Sequence, residues 1–234
     1  MTPGVDTTAP ASLPASFDPR HVPVVGVDRH LPAVASNRLT VEALAARFLS
    51  PPHWKPEVLR EPAFSSRPVR PAAVLIAIVT HPQPTVLLTL RAAHLNSHSG
   101  QVAFPGGKVD STDADAVAAA LREAYEEVGL PPGQVRVLGS LPKYTTGSAF
   151  VITPVVALVP AGLALVPNPH EVDDVFEVPL AFLMDPAHHR RHRLHWQGVE
   201  REWFSMPHQG VGKEHYIWGA SAGMLRNLYR FLSA

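Results

Sequence analysis

The stretch from Phe104 to Leu130, FPGGKVDSTDADAVAAALREAYEEVGL, leaves this chain few choices of fold. It joins a proline-glycine loop to an amphipathic helix. Pro105-Gly106-Gly107 interrupts regular structure, and a Thr/Asp-rich turn follows. In that turn Thr112 or Asp113 can cap the helix, with Asp115 adding negative charge to its first turn. Val117, Leu121, Ala124 and Val128 recur on one face, at the period of a helix packed on a core. Gly129 and Pro131-Pro132 end it.

The opposite face carries Glu123, Glu126 and Glu127 at i, i+3 and i+4, so three carboxylates converge on one side. Like charges at this spacing destabilise an isolated helix by roughly 0.2–0.5 kcal/mol per pair. The arrangement asks for positive charge between them. An oxygen-only donor set suits Mg²⁺ or Mn²⁺, and Mg²⁺ commonly takes further ligands from substrate phosphates. The glycines before the helix allow backbone carbonyls, that of Gly107 among them, to approach the same ion. A bare ExxEE is more often a solvated helix face; the glycine pair upstream and Arg122 beside Glu123 set this one apart.

These residues resemble the Nudix box, G-x5-E-x7-R-E-U-x-E-E-x-G-U, where U is a bulky apolar residue. The second half corresponds to Arg122-Glu123-Ala124-Tyr125-Glu126-Glu127-Val128-Gly129-Leu130, with small Ala124 at the first U. In the first half Asp113 stands where the box has Glu, and one additional residue precedes Arg122. Upstream, Leu87-Leu88-Thr89-Leu90-Arg91-Ala92 and the run through Gly100 to Phe104-Pro105-Gly106-Gly107 resemble the signature of Nudix coenzyme A pyrophosphatases, L-L-T-x-R-S/A-x3-R-x3-G-x3-F-P-G-G. Asn96 replaces its second Arg. The resemblance is closest to the bacterial NudL-like branch and covers residues 70 to 232.

The resemblance implies an α/β fold, the Nudix α/β/α sandwich with a mixed central sheet. It implies metal-assisted hydrolysis of the pyrophosphate bond of coenzyme A (CoA) or a derivative, giving 4′-phosphopantetheine and adenosine 3′,5′-bisphosphate. Glu123, Glu126 and Glu127 would hold Mg²⁺ or Mn²⁺ with Gly107. Arg91, His98, Gly106 and Gly107 would meet the substrate. Glu171, in a late loop, is a candidate ligand or base, sharing the second role with Glu123. Arg122 is expected to anchor the loop by pairing with carboxylates rather than to touch substrate. Two other readings stand beside this one: a Nudix pyrophosphatase for NADH or ADP-ribose, and a non-enzymatic nucleotide-binding module. The intact glutamate cluster argues against the second.

Composition narrows the partners. The 234 residues contain as many Lys and Arg as Asp and Glu, 20 of each, which argues against nucleic acid or an anionic membrane as the main partner. There is no cysteine, hence no disulfide and no thiolate nucleophile. No basic-then-apolar leader is visible, and the apolar region Val151 to Val166 is broken by Pro154 and Pro160. A cytoplasmic enzyme for a small nucleotide substrate is expected.

Three regions are expected along the chain. Residues 1–37, rich in Pro, Ala, Ser and Thr, read as a mostly irregular and dispensable extension, with Val22 to Val27 able to lie against the domain. Residues 38–69 read as an accessory helix capped by Thr40 and a Pro-rich loop; a packed helix is preferred over a lid or the arm of a homodimer. Residues 70–234 read as the catalytic domain. Its strands are expected at Ala72–Thr80, Val86–Arg91, Gln101–Phe104, Val135–Leu141, Phe150–Val159, Val175–Val178 and Tyr216–Trp218. A hairpin is expected around Gly198, and an amphipathic helix at Ser221–Leu232 closes the chain. The basic run from His188 to His195 reads as a solvated strand edge rather than a polyphosphate site. His94 and His98, four apart outside a helix pattern, read as nucleotide contacts rather than metal ligands.

Overall fold

The apolar run around Ile76 has no polar alternation because both its faces are covered. In the computed structural model, which describes residues 17–95, 99–196 and 198–234, it forms a central strand. Ala73, Leu75, Ala77 and Val79 point into one apolar cluster, and Ile76 and Ile78 point into another. In chain order the elements are β1 (Val24–Val27), α1 (Val41–Leu49), β2 (Arg70–Val79), β3 (Thr85–Arg91), β4 (Val102–Ala103) and β5 (Gly106–Lys108). There follow α2 (Ala116–Val128), β6 (Arg136–Ser140), β7 (Tyr144–Thr145), β8 (Phe150–Val159), β9 (Val172–Pro179) and α3 (Leu180–Leu183). The last are β10 (Arg190–Trp196), β11 (Val199–Gln209), β12 (Glu214–Trp218) and α4 (Gly219–Ser233). Asn96 and His98 lie outside the described residues.

The main sheet is mixed. β2 and β8 run parallel, from Arg70 opposite Phe150 to Val79 opposite Val159. A parallel pair needs a long crossover, and α2 lies within it. Strands β3, β5, β6, β7 and β9 join by antiparallel pairing. Helix α2 covers one face through Ala119, Ala120, Ala124 and Val128. Helices α4 and α1 cover the other, through Leu225, Leu228, Leu232 and Leu44. The expected α/β/α sandwich is therefore present. Among the described residues no helix is long and apolar enough to cross a membrane.

Three local expectations change. First, β1, β10, β11 and β12 form a separate antiparallel sheet. Phe204, Met206 and Ile217 of this sheet share the core with α4, so the closing helix is covered on more than one side. Arg226 and Asn227, polar residues of this helix, are each 1% exposed. Second, the basic run is not a solvated edge. β10 lies between β1 and β11, and His189 and His192 are buried. Third, Val22 to Val27 of the mostly irregular extension do lie against the domain, as a strand and with charged ties that were not expected. β1 pairs with β10, His192 Nδ1 donates to the Val22 carbonyl at 2.9 Å, and the Asp28 carboxylate lies 2.8 Å from Arg226 Nη2. Its ties are backbone bonds, ion pairs and scattered apolar contacts such as Val34 in the core. They leave no apolar period in the sequence, which is why none was visible.

Candidate active site

The acidic face of α2 is organised by its own arginine. The helix starts one turn later than the Thr/Asp run suggests: Asp115 is the cap, its Oδ1 accepting from Ala118 N at 2.8 Å. That frees Asp113 for Arg122, whose Nε and Nη2 both donate to its carboxylate at 2.9 Å. This fork-to-fork pair holds the Asp113 carboxyl below the usual carboxylate range. Arg122 Nη2 also donates to the Lys108 carbonyl at 3.1 Å. One guanidinium thus pins the whole 108–113 turn to the helix, the anchoring role expected of it. The sequence signal for Asp113 was its place at the box's first acidic position despite the extra residue.

Arg122 Nη1 faces the other way. It donates to Glu123 Oε1 at 3.0 Å and to Glu126 Oε2 at 2.9 Å. The positive charge that the like-charged face requires is, for these two groups, Arg122 itself. The Glu123 side chain is mostly shielded from water, and burial raises its carboxyl pKa against the pull of Arg122. Gly107 leaves room for it: a Cβ there would lie 2.5 Å from the Glu123 carboxylate, which would have to shift.

Glu127 sits deeper, 2% exposed. Its Oε2 accepts from Gly106 N at 3.0 Å, and Arg91 Nη1 lies 3.5 Å from its Oε1. Burial pushes its pKa up to about 7, with Glu171 and Glu123 adding to the shift and Gly106 and Arg91 opposing it. Glu171 is brought to this cluster by a loop tied to the helix end: Asn168 N donates to the Glu127 carbonyl at 2.9 Å. The Glu171 carbonyl in turn accepts from Ala92 N at 2.9 Å, beside Arg91. No side-chain hydrogen bond reaches the Glu171 carboxylate among the described residues. Asn168 was not singled out in the sequence, where nothing distinguishes it from other loop residues.

Two guanidinium groups, Arg91 and Arg122, therefore face Asp113, Glu123, Glu126 and Glu127, with Glu171 close enough to Glu127 to act on its charge. As they stand, no three of the described His, Asp or Glu residues are grouped to hold one ion. Glu126 is engaged by Arg122 and Glu127 by Gly106. The side chain of Glu126 is half exposed, so it can turn away from Arg122 without disturbing the core. An all-oxygen set with an excess of negative charge around the buried Glu127 fits a hard divalent cation.

The remaining candidates separate. His94 Nε2 donates to the His170 carbonyl at 3.2 Å and makes no metal pair with a described residue. Arg193 is paired with Glu202 at 2.7 Å across the β10–β11 hairpin, and Arg191 with Asp28 at 2.9 Å. His98 is outside the described residues.

The comparisons agree with this geometry. The NUDIX domain family matches residues 69–205. A Salmonella typhimurium protein described as an uncharacterized Nudix hydrolase, NudL, is 44% identical over 196 residues, covering 82% of this chain and 95% of its own. The protein of the same description from Salmonella typhi matches to the same extent. Among solved structures, a Nudix hydrolase from M. smegmatis, RenU, is 29% identical with a TM-score of 0.42, over 49% of this chain and 73% of its own. Nudix hydrolases generally use divalent metal ions. With its arginine-anchored glutamate helix in place, the chain belongs to the Nudix hydrolase family, in its bacterial NudL-like branch, and is a pyrophosphohydrolase.

Proposed function

We propose that this enzyme hydrolyses the pyrophosphate bond of CoA or a CoA derivative, releasing 4′-phosphopantetheine, or its acyl form, and adenosine 3′,5′-bisphosphate. The observation that carries the chemistry is Glu127, a buried carboxyl raised to about 7 among further carboxylates. The substrate assignment rests on the run from Leu87 to Gly107 that leads into it. Mg²⁺ or Mn²⁺, held by Glu123, Glu126, Glu127 and the Gly107 carbonyl, would supply charge neutralisation and a bound water of lowered pKa.

The protein's own groups do the rest. Arg122 holds the 108–113 turn so that Gly106 and Gly107 face the diphosphate. Arg91, whose buried Nε has no hydrogen-bond partner among the described residues, is aimed at a phosphate oxygen, and His98 is assigned to the same substrate. Glu171 takes the proton of the attacking water, since no described side chain hydrogen-bonds its carboxylate while Glu123 is held by Arg122. The product pair then leaves without a covalent intermediate, consistent with a chain that has no cysteine. We place the enzyme in the cytoplasm, with residues 38–69 open to a role in a homodimer.

Product identification from CoA, acetyl-CoA, NADH and ADP-ribose, each with Mg²⁺ and Mn²⁺, tests the assignment. The expected result is adenosine 3′,5′-bisphosphate from the first two at the highest kcat/KM. Preferred cleavage of NADH or ADP-ribose would leave the Nudix chemistry and remove the CoA assignment.

A further inference from the structure

A groove of about 300 Å³ opens between the 163–167 loop and strands β3 and β9. Its floor is Leu87, Leu163, Leu165 and Val175, and its rim carries Asp173 and Glu177. It is joined to the catalytic helix by backbone: Val166 N donates to the Val128 carbonyl at 3.0 Å and Asn168 N to that of Glu127 at 2.9 Å. The loop that walls the groove is thus the loop that delivers Glu171. Along β3, Leu87, Thr89 and Arg91 share a face, so Arg91 lies roughly 13 Å from the groove floor at the usual strand rise. Arg91 in turn reaches Glu127. The groove and the carboxylate cluster thus share strand β3 and the loop from 163 to 171.

The charge of the rim decides what can lie there. Asp173 Oδ2 accepts from Ala93 N at 2.9 Å, and Glu177 Oε2 from Thr85 and His81. The second oxygen of each carboxylate has no hydrogen-bond partner among the described residues. Asp174, at the mouth, is already paired with Lys213 at 2.8 Å. A phosphate is repelled by such a rim, so the phosphorylated adenosine end of a CoA-type substrate is excluded. The other end is an uncharged chain of methylenes, a gem-dimethyl group and two amides. Its carbons match the leucine floor, and its amide N–H groups match the free carboxylate oxygens.

We infer that this groove is the subsite for the pantetheine arm of the substrate, an inference that rests on the CoA reading above. Leu163 and Leu165 are then specificity-determining residues outside the catalytic cluster. A contact between an added carboxylate and an uncharged, partly apolar chain loses both burial and hydrogen bonding, so one substitution has a large effect on this half of the substrate alone.

Two inhibitors and one substrate test it. Pantetheine, which lacks phosphate, is expected to compete with CoA in the wild type. In Leu165→Glu its inhibition constant should rise about tenfold or more, a change of about 1.4 kcal/mol or more. The KM for CoA should rise with it, while kcat and the inhibition constant of adenosine 3′,5′-bisphosphate stay unchanged. Leu163→Trp, which fills the groove without adding charge, should behave alike if Leu165→Glu fails to fold. Absence of pantetheine inhibition in the wild type overturns the inference while CoA hydrolysis stands, as does an equal effect on both inhibitors. A wild type that does not cleave CoA overturns the substrate reading and this subsite together.

Discussion

Arg122 on α2 and Arg226 on α4 each draw several carboxylates onto one guanidinium, in opposite settings. Arg226 is 1% exposed and lies between the rings of Phe204 and Tyr229. It holds Asp28 at 2.8 Å and Glu57 at 2.7 Å, with Arg191 and Arg230 supplying further positive charge to the same two acids. Its Nη1 donates to His189 Nδ1 at 3.1 Å, and His189 Nε2 donates to the Leu183 carbonyl at 2.8 Å. Every charge there has a partner, and the cluster ties the N-terminal segment and the 57–58 loop to α4. Arg122 stands at the surface side of its cluster, with acids in excess. Acids matched or outnumbered by arginines in a buried seam staple the chain; acids in excess beside a cleft are ready for a cation and a phosphate. What separates staple from site is the surplus, since both contain an arginine and a set of acids.

The largest expected effect lies on the staple. Arg226→Ala leaves Asp28 and Glu57 without their main partner and should cost about 3–5 kcal/mol, measured by urea unfolding, with kcat per folded molecule unchanged. Removal of residues 1–37 takes away β1 and Asp28, so a truncated chain should be similarly destabilised, contrary to the expectation from its composition. A truncated chain that melts with the full-length protein would show that the cluster staples nothing.

On the site, the effect should appear in turnover instead. Glu127→Gln is expected to lower kcat by about 100-fold or more in saturating Mg²⁺, comparable to losing a group that stabilises transition-state charge. Its metal-free melting temperature should not fall, because a buried carboxylate in an acidic cluster has been neutralised. Near-wild-type turnover would remove Glu127 from the metal set.

Acid and base should act on the two clusters with opposite sign. The folded Glu127 carboxyl keeps its proton up to about pH 7, above the ordinary value of 4.5. Its stabilising contribution is therefore full below 4.5 and is lost as pH rises through 7. Burial pushes His189 down to about 4 from 6.5, so its contribution is full above 6.5 and is lost as pH falls through 4. Without metal, Glu127→Gln should gain stability relative to the wild type at pH 8 and lose that advantage at pH 4. Melting curves at the two pH values measure it.

The smallest effect separates two neighbouring aspartates. Asp115→Ala removes a helix cap and should cost about 1 kcal/mol in stability with little kinetic change. Asp113→Asn releases the Arg122 fork, and its effect should fall on KM and on the pH profile instead. Equal outcomes would mean that Arg122 does not need Asp113 to position the turn.

Much of this molecule could be read in advance from local chemistry. The core of β2 needed only the uninterrupted apolar run from Ala72 to Val79. The C-terminus of α2 needed only Gly129, whose φ of 68° is the left-handed cap that glycine adopts freely. The glutamate face needed only the helical period. The helix cap was misplaced by two or three residues because several capping side chains are consecutive, and the fork of Arg122 decides among them. His189 and His192 read as polar surface because their burial depends on Leu183, Arg226, Val22 and Ser205, which are distant in the chain or invisible to a periodic pattern.

What the sequence determined is therefore what neighbouring residues decide together: the strand and helix periods, the glycine loop, the convergence of three glutamates, and the family whose box they resemble. Tertiary structure decided which charges are compensated. Arg122 and Arg226 are both arginines near acids, and no local rule distinguishes them. Arg226 meets Asp28 from 198 residues away and is sealed by a second sheet, while Glu171 reaches Glu127 only because Asn168 bonds the end of α2. Electrostatic energy depends on distance and on exclusion of water, and both are set only when the chain has folded.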